Sequence, residues 1–448
     1  MALERLYEKH AYGPAPIERS YWRSTVPDRA GDWPVLEGRQ SCDFAIVGGG
    51  YTGLTAALDL AEAGADVVLV EAEWPGWGAS GRNGGFCCLG GSPLSAEQLS
   101  RRFGSDEARQ FCEVERLAVD LVAATLGRLG IDADTHSRGE TLLAPSALAL
   151  TDLERAARLA RLVHGVECEF IGRDTMASTG MTSPAFHAAL TIPVGFALNP
   201  LKYALGLAGA AGRAGARIFG GSPALTTVRR DGNWHLGTPR GEVVARRLLV
   251  ATNGYSSENL PPWLAGRYLP VQSNILVTRE MSVAELEAQG WTSHQMCYDT
   301  LNLLHYFRLM PNRRMLFGLR GAVRATPRAD ARVRRRARAD FDRMFPAWRD
   351  VETPFFWSGF VAMARDMTPY VGPMDGVEDA FAALCYHGNG VAMGSYAGGL
   401  MADLALGRAP RRPYPAPLRA PLRRFPAARF RRAILPAAYG WYALRDRI

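Results

Sequence analysis

The chain has 448 residues, 48% apolar and 21% charged, with a formal net charge of +8. That length predicts two domains. The composition is globular, and no run approaches the roughly 18 apolar residues of a membrane helix, which excludes an integral membrane segment. Seven cysteines, none spaced C-x-x-C, read as reduced thiols in a cytoplasmic protein without a metal site. The N-terminus mixes charges of both signs and does not read as a secretory signal.

Residues 1–35 form an expected N-terminal arm. Residues 43–48 are apolar and β-prone, and end at Gly48. Gly48, Gly50 and Gly53 make G-x-G-x-x-G, with Tyr51 and Thr52 inside it. Leu54, Ala57, Leu58 and Ala61 then repeat at helical spacing, Gly64 ends the helix, and Val67–Val70 reads as a second buried strand closing at Glu71. Strand, glycine turn, helix, strand and terminal acid together form a dinucleotide fingerprint. The glycines serve the tight turn, the approach to pyrophosphate and the helix–strand contact, and the helix N-terminus faces phosphate. Glu71 lies 21 residues after Gly50, where a carboxylate bonds ribose hydroxyls and repels a 2′-phosphate.

Three later features favour FAD over NAD. The loop GASGRNGG (78–85) supplies Ala79, Ser80, Arg82, Asn83, Gly84 and Gly85, small residues and a cation suited to a flat ring and a pyrophosphate. The strand RRLLVATNGYS (246–256) ends in Ala251, Thr252 and Gly254, which can close over the dinucleotide. The segment CYHGNGVAMG (385–394) reads as strand, glycine turn and helix. Its Gly388, Asn389, Gly390, Val391 and Ala392 aim a second helix N-terminus at a flavin edge. Residues 206–221 predict a small-residue helix ending near Gly215, then a strand. No second full fingerprint exists, which argues against an additional NAD(P)H site.

The order and wording of these motifs resemble the D-amino-acid oxidase, glycine oxidase and sarcosine oxidase superfamily of FAD-dependent oxidoreductases. The block VGGGYTGLTAALDLAEAGADVVLVEA…GASGRNGG looks most like the gamma-glutamylputrescine oxidoreductase branch, and the resemblance covers roughly residues 20–410. It implies an α/β fold of two domains: a Rossmann-like FAD-binding domain and a second, mixed or antiparallel-sheet substrate domain. The expected boundaries are 36–110, 182–256 and 366–407 for the first, and 111–181 and 257–365 for the second. Ala224 joins the cofactor-binding set on the same basis. The cysteine that tethers flavin in monomeric sarcosine oxidases falls on Ala362, so the resemblance implies non-covalent FAD. Their carboxylate-gripping lysine falls on Ala392, which disfavours a small N-methyl amino acid. The lysine over their flavin ring is matched by Arg320, in FGLRGAV.

Asp299–Gly321 predicts two strands joined at Pro311-Asn312-Arg313, with a half-buried face. In the superfamily such a sheet forms the substrate wall, which makes His305, Tyr306, Arg308 and Arg320 candidates to line it. His387, before the Gly388 turn, is a candidate to face the ring. Arg320, His387 and Tyr306 form the expected catalytic set. Residues 329–348 predict an amphipathic helix with a basic outer face.

The tail 408–448 holds eleven arginines against one acid, Asp446, a net of +10. Its prolines favour packing along the body with the arginines in solvent, over binding nucleic acid or an anionic membrane. The expected function is oxidation of an amine, a polyamine derivative or amino-acid-like molecule, with oxygen or an electron carrier as acceptor. Two rivals are a same-fold dehydrogenase feeding a quinone or carrier, and a non-catalytic flavoprotein subunit.

Overall fold

The computed structural model describes residues 3–446. Met1 and Ala2 of the arm, and Arg447 and Ile448 of the tail, lie outside the described residues.

Two eight-stranded sheets organise the chain. The first grows from Gly38–Val47, which pairs in parallel with Val67–Val70 on one side and Gly241–Val250 on the other. Arg217–Phe219 and Ala380–Leu384 extend it in parallel, and Tyr370–Pro373 closes one edge antiparallel. Val67–Val70 is buried at all four positions, the pattern of a parallel strand covered on both faces. The fingerprint helix Tyr51–Glu62 and the helix Ala392–Ala405 pack against each other and share one apolar core with the long helix Ser105–Leu129. The small-residue segment forms the helix Pro200–Arg213 followed by the strand Arg217–Phe219, as its pattern predicts.

The second sheet runs Phe355–Ala364, Tyr268–Val277, Met315–Ala322, His305–Leu309, Met296–Asp299, Glu140–Ala144, Ala188–Ile192, Glu169–Gly172. All its pairings are antiparallel except Met296–Asp299 with Glu140–Ala144. The helix Pro327–Met344 covers one face through Ala337, Phe341 and Met344, leaving its arginine-rich side outward.

One strand and one helix sit across the expected boundaries. Ala188–Ile192 falls in the 182–256 block yet pairs within the second sheet. It is buried throughout, so its composition carries no sign of which sheet it joins. Residues 111–129 fall in the 111–181 block but belong to the helix in the first core. The Asp299–Gly321 region holds two strands, and a third, Met296–Asp299, precedes them.

The tail packs along the body, but its arginines are not simply solvated. Arg411 bonds Asp403 at 2.7 Å and Asp59 at 2.9 Å. Arg419 pairs with Glu107, Arg431 with Glu258 and Arg432 with Glu8. Asp403 and Asp59 are themselves buried, and a buried carboxylate requires a charged or hydrogen-bonding partner. No helix among the described residues is long and apolar enough to cross a membrane.

Candidate active site

A cavity of about 630 Å³ runs between the two sheets. At one end it is walled by the fingerprint. Gly48 has φ +109°, and a Cβ there would lie 2.8 Å from the Ala251 carbonyl oxygen. A Cβ on Gly53 would lie 2.0 Å from the Gly48 carbonyl oxygen, so the helix touches the strand end only because position 53 is glycine. Glu71 faces the same end. Its Oε2 accepts from the Gly49 N–H at 2.6 Å and its Oε1 from the Glu73 N–H at 3.2 Å. Burial raises its pKa against those bonds.

The 78–85 loop closes one side. Arg82 is 2% exposed. Its Nε–H donates to the Trp77 carbonyl at 2.8 Å, and its guanidinium stacks 4.0 Å from the Trp77 ring. Its Nη2 is buried without a hydrogen-bond partner among the described residues, and the residue lines the cavity. Asn83 also lines it but spends its amide on the loop: Oδ1 accepts from the Gly85 N–H, and Nδ2 donates to the Ala79 and Ser80 carbonyls. The buried Oδ1 of Asn389 is likewise unpartnered, while its Nδ2 donates to the Cys88 carbonyl at 2.7 Å. Gly48, Gly50, Tyr51, Thr52, Ala79, Ser80, Gly84, Ala224, Ala251, Thr252, Gly388, Gly390 and Val391 complete the part of the cofactor set that reaches the cavity.

Gly53, Gly85, Gly254 and Ala392 do not line it. Gly53 sits behind Gly48. A Cβ on Gly85 would strike the Leu198 carbonyl, and one on Gly254 would lie 2.8 Å from the Phe360 Cβ. Ala392 is fully buried at the start of its helix. These four shape the backbone around the cavity and face the packing behind it.

The other end is the second sheet. Arg320, His387 and Tyr306, drawn from three segments, all line the cavity. The Tyr306 hydroxyl lies 2.8 Å from Ser273 Oγ, and its ring sits over Gly84, where a Cβ would come within 2.8 Å. Burial pushes the Tyr306 hydroxyl up to about 12. Arg320 makes no hydrogen bond or ion pair among the described residues. Burial holds its pKa below the usual arginine value, with Tyr306 and Tyr439 pulling the other way. His387 has no ring nitrogen to spare: Nδ1–H donates to the Gly91 carbonyl at 2.9 Å, and Nε2 accepts from the Ala364 N–H at 3.1 Å. Burial lowers it to about 4, so the imidazole is neutral and clamps the Gly91 loop to the end of the strand Phe355–Ala364.

His305 and Arg308 are absent from the cavity wall. His305 lies behind the sheet, Nδ1 2.7 Å from Asp299 and Nε2 3.3 Å from Asp340. Arg308 is buried beneath the loop, donating from Nε to the Gly84 carbonyl and from Nη2 to the Leu198 carbonyl. Sequence reasoning missed Glu140, Tyr298 and Ser273, which line the cavity, and the tail's contact with the segment beside it. Asp446 accepts from the N–H groups of Asn302 and Leu303, beside cavity-lining Leu304. Arg5 and Tyr12 of the arm also reach the wall.

A family model described as FAD dependent oxidoreductase matches residues 43–404. The chain belongs to this family of FAD-dependent oxidoreductases. A probable oxidoreductase, OrdL, of Rhizobium meliloti is 31% identical over 96% of this chain and 97% of its own length. The gamma-glutamylputrescine oxidoreductase of Escherichia coli is 30% identical over 96% and 98%. Among solved structures, glycine oxidase from Geobacillus kaustophilus superposes with a TM-score of 0.71 at 21% identity, covering 86% of this chain and 99% of that one, a likeness of fold. The family's cofactor fits the lining. Gly48 and Gly50 offer bare backbone to the cavity, packed so closely on Ala251 and Ser80 that neither position has room for a Cβ, and among the described residues Arg82 Nη2 is a buried donor awaiting an acceptor such as a phosphate or ring oxygen.

Proposed function

We propose that this flavoenzyme oxidises the C–N bond of an amine, with a polyamine derivative as first candidate substrate and oxygen as acceptor. The observation that carries the reading is the continuity of the cavity: the fingerprint walls one end and Tyr306, Ser273 and Arg320 the other. A substrate on that wall therefore shares one cavity with the cofactor. In this reading FAD is held non-covalently by the fingerprint backbone, Glu71 at the ribose, Arg82 and the 388–391 turn. Ala362 offers no thiol for a tether. Bound FAD supplies the hydride acceptor for the carbon beside nitrogen, and water then hydrolyses the imine product.

The chain's own part is to position and to exclude water. Tyr306, fixed by Ser273, presents a rigid ring and a neutral hydroxyl. Arg320 supplies a positive charge that stabilises negative charge developing during reduction and the reaction with oxygen. His387 is already engaged through both nitrogens and holds the turn in place. The name of the 30%-identical relative, which spans nearly the whole chain, supports a gamma-glutamyl polyamine.

The test is anaerobic mixing of the holoenzyme with polyamines, gamma-glutamyl polyamines, N-methyl amino acids and D-amino acids. Bleaching of the flavin band by a polyamine class is expected, with colour and hydrogen peroxide returning on admission of air. No bleaching by any amine, while dithionite still reduces the flavin, would overturn the reading.

A further inference from the structure

Glu140 stands at the second-sheet end of the cavity, on the strand Glu140–Ala144. It is 2% exposed, yet it lines the cavity. Its Oε2 accepts from the Tyr298 hydroxyl at 2.9 Å. No arginine, lysine or histidine pairs with it among the described residues. Its charge instead raises the carboxyl pKa of another acid, Glu115 of the long helix. Burial pushes Glu140 up to about 7, against the Tyr298 hydroxyl, the Leu89 N–H and the Cys88 thiol, which hydrogen-bond its ionised form. Buried carboxylates are normally matched by a cation. Here the open side of the group is the cavity, so the missing cation belongs to what enters it.

Arg320 is the reverse case on the same wall, a guanidinium without an anion. The sheet register measures their separation. Leu142, Tyr298, Tyr306 and Gly318 are successive cross-strand neighbours. Glu140 lies two residues before Leu142, and Arg320 two residues after Gly318 on a strand of the same direction. Three strand spacings across and four residues along put the two backbones roughly 14 Å apart in one direction and roughly 13 Å in the other. An α-amino acid separates its ammonium and carboxylate by one carbon and cannot serve both groups.

We infer that Glu140, oriented by Tyr298, seats a cationic nitrogen of the substrate, and that with Arg320 it selects an extended amine with a terminal ammonium many bonds from any carboxylate. The inference deepens the amine-oxidation reading and rests on it for the identity of the reaction. Arg320 repels the ammonium from its own end, so the polarity of the wall also fixes which way round a chain-like amine lies. Tyr298 acts through Glu140 and is a positioning residue.

Binding to the dithionite-reduced holoenzyme, followed by calorimetry, tests this without turnover. The probes are putrescine, gamma-glutamylputrescine and glycine. The wild type should bind at least one of the first two, and more tightly than glycine. Glu140→Gln, which keeps the shape and removes the charge, should weaken that binding at least tenfold with flavin content unchanged. Tyr298→Phe should weaken it about threefold. In turnover, Glu140→Gln should raise KM more than it lowers kcat. Equal affinity in wild type and Glu140→Gln, or no binding of either amine by wild type, would overturn the proposal. Charge-dependent binding with no flavin bleaching in the amine panel would support the seat while sinking the oxidation reading, so the two failures are distinguishable.

Discussion

The two ends of the cavity are built by different means. The fingerprint end is made of backbone: glycines 48 and 53 bring main chain against main chain, Gly50 leaves room for the Ser80 hydroxyl, and Glu71 fixes the turn through the Gly49 N–H. The second-sheet end is made of side chains: Glu140, Ser273, Tyr298, Tyr306 and Arg320 project from five strands scattered over 180 residues of sequence. A backbone cradle tolerates almost no added volume, whereas a side-chain wall can change chemistry and keep its shape. Substitutions at the first end should therefore act through whether the cofactor stays, and those at the second through which substrate is bound and how well.

The largest effect on cofactor retention is expected at Gly53. An alanine Cβ would lie 2.0 Å from the Gly48 carbonyl oxygen and 3.3 Å from Ile46 Cγ2, so helix and strand must part. Overpacking of this kind costs about 1–3 kcal/mol, sometimes more. Gly53→Ala should purify with little flavin and a lowered melting temperature, read from the visible-to-ultraviolet absorbance ratio and a thermal scan. A fully yellow protein with unchanged melting would break the contrast between the two ends.

That contrast also explains what could be read in the sequence. The cradle is contiguous, and each glycine is needed for a local reason, so its pattern is visible without the fold. The placement of Arg82 on the cavity followed from the same loop. The wall is different. Tyr306 and Arg320 were reached through resemblance to proteins with such a sheet, and the same reasoning also offered His305 and Arg308. His305 sits one residue from Tyr306, and alternation puts it on the opposite face. Arg308 shares the face of Tyr306 but is spent on the carbonyls of Gly84 and Leu198. Glu140 had no local signal, because a lone acid at the start of a strand looks like an ordinary solvent-facing residue. Its meaning arises only when the parallel pairing with Met296–Asp299 sets Tyr298 beside it. Strand pairing between distant segments also decided where Ala188–Ile192 went, and no residue in that run announces its partner.

The back of the wall sharpens the comparison through pH. His305 is 4% exposed and lies between Asp299 and Asp340, and Asp340 is also bonded to Arg343 at 2.7 Å and lies 3.6 Å from Arg336. Burial alone would lower its pKa, but the hydrogen bonds and charges of the two carboxylates outweigh it and raise the imidazole to about 9. A group whose folded pKa lies above its unfolded value of about 6.5 adds stability that is full below the unfolded value and is lost as pH rises through the folded one. The contribution is on the order of 3 kcal/mol below pH 6.5, fading by pH 9. Chemical denaturation at several pH values should show wild type losing stability over that range relative to His305→Gln, which should be less stable at pH 6 and closer to wild type at pH 9. A constant difference between the two proteins at every pH would show that His305 is not the charged centre behind the wall.

The smallest effect belongs to the front of the wall. Tyr306→Phe removes the hydroxyl that meets Ser273 Oγ at 2.8 Å and keeps the ring over Gly84. A hydrogen bond of this type contributes about 1 kcal/mol, so stability should fall by about that much. Because the ring remains, the loop under it and the cradle beyond are undisturbed, and flavin content should match wild type. With Tyr306 freed from Ser273, the orientation of a bound amine is less fixed, and kcat/KM should drop about five- to tenfold, a loss equivalent to about 1–1.4 kcal/mol. Loss of flavin in Tyr306→Phe would mean that the wall also supports the cradle, and the separation of the two ends would fail at the point where they meet, between Tyr306 and Gly84.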